Sequence, residues 1–439
     1  MNPTRELVAA IDIGTLKTRG AIGRFTQDGK LEIVAFCEVM TQGVRNGVVL
    51  NIDEAALSVK GVISSLERGV NLKVRRVYAG ISGQRICNRL SSGYRMTDGE
   101  VTQSIINSLI GEAQRYTNGP GEKVYHLIPQ EFIIDSERGT HNPVGMAGRR
   151  VDASFTVISA AESYEMNLRR SIEKAGYELA GAFINPYVQG AGFLSRDEKE
   201  AGVILIDFGA GTTGISLYYE NKLRLAAELP FGGNVISNDI REGCNIIPRH
   251  AEMVKIQCGY AFSELVPENK FAQIPEVEGW NAKEISFRNL SGIIQARLEE
   301  IIEGVNYQLE STRVLNKLGA GIVLTGGGSN MRGIDKLVSY MTGFDVRFGK
   351  PVVPLSQQLF NEQVMNPQSA NLMGLLINGL YQARNQNYPP GMIVSNTPEE
   401  VVKKPAAKKP GIKTIVSDLF GKAKEQINGL MDEEDGEIN

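Results

Sequence analysis

Cysteine is scarce in this chain: Cys37, Cys87, Cys244 and Cys258 are spread through 439 residues. They make no CxxC pair and fall far below the density of a secreted disulfide scaffold, so free thiols in a reducing compartment are expected. Histidine is scarcer still, and His126, His141 and His250 are too scattered to suggest a zinc site. Net charge is almost absent, at -3 from 47 basic and 50 acidic residues, so no basic field would draw nucleic acid as a partner. No segment approaches the roughly 20 apolar residues of a spanning helix. Asp12 breaks the first apolar run, so no secretory signal is read there, and a cytoplasmic chain that does not cross a membrane is expected. Two familiar nucleotide motifs, the P-loop GxxxxGK(S/T) and the Rossmann GxGxxG unit, do not occur.

What is present begins with a repeat. Ile11-Asp12-Ile13-Gly14-Thr15 and Ile206-Asp207-Phe208-Gly209-Ala210-Gly211-Thr212-Thr213 follow one pattern. Each time an apolar strand (7–11; 203–206) meets an aspartate and a tight Gly/Thr turn, and a second strand follows (21–25; 215–219). A further turn leads to a third strand (31–37; 223–228). Such degenerate repeats report a duplicated unit. The length also exceeds what one core normally serves.

Around the repeat, Ile52, Ala55, Ala56, Val59, Val62, Ile63 and Leu66 share a stripe that predicts a helix over 52–68. A strand is expected at 74–80. An α+β insertion follows to about 159, with short strands at 131–135 and 153–158 around a helix at 101–116. Helices are expected at 160–175 and 185–194, and 233–309 reads as a mostly helical subdomain. A strand at 321–325 enters Gly326-Gly327-Gly328 before helices at 334–341 and 371–383. Residues 385–410, rich in Pro, Asn and Lys, bury too little to fold and read as a tether. Beyond it Ile412, Ile415, Val416, Leu419, Phe420, Ala423, Ile427, Leu430 and Met431 return to one helical face. Lys413, Asp418, Lys422, Lys424 and Glu425 lie off that face.

Glycine-rich turns let backbone N–H groups approach a polyphosphate, because no Cβ stands in the way. Gly14, Thr15 and Lys17 would supply donors from one side, and Gly209, Gly211, Thr212 and Thr213 from the other. Asp12 and Asp207, at the two strand ends, would orient Mg²⁺ through its water shell. Gly326, Gly327 and Gly328 would admit the adenosine and α-phosphate. The cofactors expected are therefore ATP and Mg²⁺.

In this arrangement the residues resemble the actin/Hsp70/sugar-kinase ATPase superfamily. Gly43-Val44-Arg45-Asn46-Gly47-Val48-Val49 and Gly80-Ile81-Ser82-Gly83 narrow the resemblance to FtsA, a family of bacterial actin-like cell-division proteins. So do His126-Leu127-Ile128-Pro129-Gln130-Glu131-Phe132-Ile133-Ile134-Asp135 and Asn142-Pro143-Val144-Gly145-Met146. The resemblance runs from about Val8 to Ala383. It implies an α/β fold: a duplicated actin-like (ribonuclease H-like) ATPase core with a small α+β insertion domain, a helical subdomain and a C-terminal amphipathic helix. The implied boundaries are 1–82, 160–198 and 353–384 for one core subdomain, 83–159 for the insertion, 199–232 and 310–352 for the second core subdomain, and 233–309 for the helical part. A disordered linker (385–410), an amphipathic helix (411–431) and an acidic tail (432–439) complete the chain.

The resemblance further implies Glu252 and Lys255 beside the ribose or adenine. It implies head-to-tail self-assembly and recruitment of later division proteins. It also implies a partner, the tubulin-like FtsZ, whose C-terminal tail would dock on 233–309; Arg288 and Arg297 are candidates there because an acidic peptide seeks fixed cations. In actin a glutamine before the second turn positions the attacking water. The aligned position here reads as Ala191, with Gln189 on another face, so Gln189 is a weak catalytic candidate and slow or absent hydrolysis is expected.

The apolar tail with its lysine cluster at 403–413 fits an anionic membrane surface, and the bare pattern equally fits a partner-binding helix. Together with the resemblance, these features imply a peripheral protein on the cytoplasmic face of the membrane at the division septum. The alternatives are a pilus-assembly ATP-binding adaptor and a small-molecule kinase of the same superfamily, although no aspartate base beside a sugar pocket is evident.

Overall fold

The computed structural model describes residues 7–384 apart from 116–118, 141, 277–281, 313 and 357–360, together with 393–394. The expected amphipathic segment, with Ile412, Ile415, Val416, Leu419, Phe420, Ala423, Ile427 and Leu430, lies outside the described residues.

The first half opens with β1 (Val8–Ile13), β2 (Lys17–Phe25) and β3 (Leu31–Met40), then a small hairpin of β4 (Val44–Arg45) and β5 (Val48–Val49). Helix α1 (Ile52–Val70) follows, capped by Asn51, whose side chain accepts from the Asp53 and Glu54 amides at 3.1 and 3.3 Å. Such a cap contributes about 1 kcal/mol. The predicted stripe faces inward: Ala55, Ala56, Val59, Val62, Ile63 and Leu66 are all buried. After β6 (Arg76–Ile81) the insertion comprises β7 (Ile86–Glu100), α2 (Gln103–Gln114), β8 (Glu122–Ile134), β9 (Glu137–Thr140) and β10 (Ala147–Ala161). Helix α3 (Glu162–Lys174), β11 (Glu178–Ile184), α4 (Asn185–Phe193) and α5 (Arg196–Ala201) return to the first half.

The second half repeats the plan with β12 (Val203–Phe208), β13 (Thr213–Tyr219) and β14 (Lys222–Leu229). Helices α6 (Gly233–Cys244) and α7 (Pro248–Cys258), the hairpin β15 (Phe271–Ile274) and β16 (Lys283–Ser286), and α8 (Phe287–Glu310) form the helical part. The chain then runs through β17 (Ile322–Thr325), α9 (Ile334–Thr342), β18 (Val346–Phe348), α10 (Asn361–Val364) and α11 (Ala370–Ala383).

The duplication is literal. One sheet has the order β3-β2-β1-β6-β11 and the other β14-β13-β12-β17-β18. In both, the first strand is antiparallel to the second and parallel to the fourth. Every residue of β1 and β12 is buried, as a central strand covered on both faces requires. Helices α1, α3 and α11 cover the first sheet; α6, α8 and α9 cover the second.

The insertion departs from its sequence reading in one respect. Its strands are long, 15 residues each in β7 and β10, because the exposed faces carry Ser, Gly, Arg and Asp and hide the alternation. It has its own core, with Val101, Leu109, Phe132 and Phe155 among its buried residues. Within the expected tether, β19 (Ile393–Val394) pairs with the β8 edge, so this dipeptide is a strand and not structureless linker. Two β-branched residues suffice to use unpaired backbone groups at a sheet edge.

Candidate functional site

The two turns of the repeat meet. Gly14 N–H closes the first turn on the Lys17 carbonyl at 3.1 Å, and Gly209 N–H closes the second on the Thr212 carbonyl at 2.9 Å. A Cβ on Gly211 would stand 2.9 Å from the Thr15 Cβ, so only glycine lets the turns approach this closely. The β4–β5 hairpin seals the junction. Asn46 and Gly47 have φ of 47° and 75°, the left-handed pair of a two-residue hairpin turn, and Gly47 N–H donates to Thr15 Oγ1 at 2.9 Å. The third glycine segment lies behind the second turn. Gly326 has φ of 84°, and a Cβ there would fall 2.6 Å from Asp207 Oδ1; Gly327 faces open space.

Asp12 and Asp207 end their strands at 6% and 9% exposure. Burial raises both carboxyls, Asp207 to about 6, with the Asp12 charge as the second cause. Thr325 Oγ1 donates to Asp207 Oδ1 at 3.1 Å and Gln189 Nε2 to Asp207 Oδ2 at 3.0 Å. Across the junction, Asn185 Nδ2 reaches Asp12 Oδ1 at 3.5 Å and Ser82 Oγ at 2.8 Å.

These positions sharpen the expectation for α4. Gln189 does lie on another face from Ala191, and that face is the one toward the aspartates: Gln189 is 1% exposed and bonded to Asp207, whereas Ala191 packs against the hydrophobic core. Helix α4 starts at Asn185, and one turn separates Asn185 from Gln189, so both point at the aspartates. Sequence reasoning missed Asn185, Asn371 and Glu228. Glu228, on β14, accepts from Thr212 Oγ1 at 3.0 Å and from Gly83 N–H, and burial raises its carboxyl to about 7. The pattern Gly80-Ile81-Ser82-Gly83 held the clue, because Ser82 and Gly83 serve this network.

Lys17 sits at the turn, but its ammonium pairs with Glu38. Thr213 is buried and donates to the Phe231 carbonyl at 2.8 Å, so its hydroxyl braces the turn. Glu252 and Lys255 lie one layer out. Lys255 Nζ bonds Glu252 Oε2 at 2.6 Å and the Gly233 carbonyl at 2.9 Å, while Gly233 N–H donates to the Gly209 carbonyl at 2.9 Å.

Residues at the cleft fit a cation with a polyphosphate. The amide oxygens of Asn185 and Gln189 are buried and have no partner among the described residues. Beside two buried carboxylates they are acceptors awaiting a donor or a cation. The described residues contain no cluster of three or more His, Cys, Asp or Glu able to hold a metal ion.

A family model described as "Cell division protein FtsA" matches residues 204–374, and one for the "SHS2 domain inserted in FTSA" matches residues 84–159. The cell division protein FtsA of Neisseria meningitidis serogroup B is 32% identical over 380 residues, covering 86% of this chain and 91% of that protein. The chain belongs to the FtsA family. Its fold is also that of a PilM–PilN type IV pilus biogenesis complex, with TM-score 0.63 at 17% identity over 85% of this chain and 98% of that one. MreB5 of Spiroplasma citri bound to ADP gives 0.52 at 15% identity over 86% and 98%.

Within this FtsA-family chain the SHS2 match coincides with the insertion sheet, and the insertion docks across the molecule. Asn88 on β7 bonds both backbone groups of Ala226 on β14, accepting from its N–H at 2.9 Å. Gln130 on β8 donates to the Leu223 carbonyl at 3.0 Å and accepts from Arg224 Nη1 at 2.8 Å. Arg288 and Arg297 do not form one patch. Nine residues of α8 separate them, about half a turn in phase. Arg297 braces α8 to α6 through Asp239 at 2.5 Å and also pairs with Glu300, whereas Arg288 is exposed. No helix among the described residues is long and apolar enough to cross a membrane.

Proposed function

We propose that this chain is an ATP-binding, actin-like division protein. It assembles head to tail with copies of itself, and it ties FtsZ filaments to the inner face of the cytoplasmic membrane at the septum. It also recruits later division proteins. The observation that carries the nucleotide part is the meeting of two glycine turns over two buried aspartates and two unsatisfied amide oxygens.

Gly14 and Gly209 shape the two turns by closing them with their own N–H groups, and the Thr15, Gly211 and Thr212 backbone N–H groups with the Thr15 hydroxyl cradle the phosphates. Asp12 and Asp207 hold the waters of Mg²⁺, which neutralises phosphate charge when bound. Gly326, Gly327 and Gly328 leave room for the nucleoside, with Glu252 and Lys255 at its rim. Gln189 is a neutral carboxamide and no base, and both its amide hydrogens are engaged, by Asp207 and Asn371, so it orients groups and does not take protons; with no other base assigned, turnover is slow. The acidic FtsZ tail docks on the helical subdomain near Arg288, because Arg297 is already neutralised.

The segment 411–431 lies on the membrane, with Ile412, Leu419, Phe420 and Ile427 in the interface and the lysine cluster adding about 1 kcal/mol per charge. Nothing at the cleft favours a kinase, and the PilM likeness extends to the fold alone.

Gly211→Val tests the clamp: calorimetric titration should show ATP binding to the parent and none to the variant, and equal binding overturns the assignment. Phe420→Glu tests the anchor. Equal co-sedimentation of parent and variant with anionic vesicles overturns it.

A further inference from the structure

Helix α11 is apolar almost throughout, yet its second residue reaches into the cleft. Asn371 Oδ1 accepts from Gln189 Nε2 at 2.6 Å, and its Nδ2 donates to Asp207 Oδ2 at 3.4 Å. Carboxylates only accept, so the amide nitrogen must face them and the amide oxygen is left for Gln189. Gln189 then has both Nε2 hydrogens committed. Its Oε1 is buried and has no partner among the described residues.

Leaving such an atom unpaired costs about 1–3 kcal/mol. The backbone behind it is correspondingly rigid. Gly374 lets α11 lie directly on α4: a Cβ there would be 2.6 Å from the Val188 carbonyl carbon and 3.1 Å from the Gln189 nitrogen.

We propose that Asn371 is a positioning residue of the nucleotide site. It locks the Gln189 carboxamide so that Oε1, beside Asp12 and Asp207, meets the hydrated divalent cation that accompanies a bound polyphosphate. This rests on the nucleotide reading above and extends the site to a third wall, the first turn of α11. No turn of the internal repeat supplies that wall; it comes from the last helix before the tether.

The test is ATP affinity of the full chain, measured by titration in excess Mg²⁺ and again in EDTA. The parent should bind far more tightly with Mg²⁺. Asn371→Ala should lose about tenfold in Mg²⁺, the worth of one hydrogen bond to a charged group, and less than about twofold in EDTA. Gln189→Ala should lose a similar factor, and the double variant no more than either single, because one residue acts through the other. Asn371→Ser, too short to span Gln189 and Asp207, should reproduce the loss and serves if the alanine form does not fold.

Equal losses in Mg²⁺ and EDTA would mean a structural role only and overturn the proposal, as would additive losses in the double variant. A parent that binds ATP equally well without Mg²⁺ overturns it while leaving nucleotide binding intact. A parent that binds no ATP at all overturns both.

Discussion

The two halves of the core share strand order and turn pattern, but they close their outer edges differently. In the first half the β3 edge is capped by the chain's own backbone: Leu31 N–H donates to the Pro354 carbonyl and Ser356 N–H to the Leu31 carbonyl, both at 2.9 Å. In the second half the β14 edge is capped by side chains of the insertion, Asn88 and Gln130, although that insertion belongs in sequence to the first half. One edge is therefore sealed within a half and the other between halves. Any rotation about the cleft leaves the first cap intact and shears the second, so nucleotide contacts and insertion contacts are mechanically linked.

The largest effect is expected where the halves differ most at their fourth strands. Gly326, after β17, has φ of 84° and backbone in front of it, with a Cβ landing 2.6 Å from the Phe208 carbonyl carbon. Gly80, in β6, has an ordinary backbone conformation and meets only the Asn185 side chain. Gly326→Ala should cost about 3 kcal/mol or more in urea unfolding, from left-handed strain plus the clash. Gly80→Ala should cost about 1 kcal/mol, because Asn185 can rotate away. Equal costs would break the contrast between a backbone-limited and a side-chain-limited approach.

An intermediate effect is expected at the edge caps. Gln130→Ala removes a buried donor to the Leu223 carbonyl and the acceptor for Arg224, at a cost of about 1–3 kcal/mol. The insertion retains its own core around Phe132 and Phe155, so its strands should persist while it loosens from β14. Hydrogen exchange checks this: amides of β14 should exchange faster and amides inside β10 should not. Uniform acceleration across both would mean that the insertion does not fold independently of its docking.

Much of this was legible in the sequence, for identifiable reasons. The duplicated turns were visible because a buried central strand is a near-continuous apolar run and its end must be marked by polar and glycine residues. Helix α1 was visible from its stripe, although its Asn51 cap was not read. The insertion's long strands were not, since β7 is a half-exposed edge whose polar face masks period two. Asn185, Asn371 and Glu228 were invisible for a different reason. Each is one of several polar residues in its element with nothing local to mark it, and its meaning comes from distant partners, up to 182 residues away for Gln189 and Asn371. Gln189 was discounted because alignment by motif put the water-positioning residue at Ala191, although the expected helix start at 185 already sets Gln189 one turn on from Asn185, on the same face.

A pH-dependent effect, confined to one window, separates the third strands by sign. Glu38 on β3 is partly buried, which pushes its carboxyl up, but hydrogen bonds from Lys17 and Arg19 pull it below the usual 4.5. Glu228 on β14 is buried without a cation and rises from 4.5 to about 7. A depressed carboxyl contributes stability above its unfolded value that is lost as pH falls through the folded value. A raised one contributes stability below 4.5 that is lost as pH rises through about 7. Glu228→Gln should therefore flatten the fall in thermal stability between about pH 4.5 and about 7. Glu38→Gln should leave that window alone and flatten only the acid side. The Glu38 effect is the weaker because its side chain is 37% exposed and its ion pairs are screened. If both variants flatten the same window, the edge between the halves is no more buried than the edge within one, and the contrast between the two third strands fails.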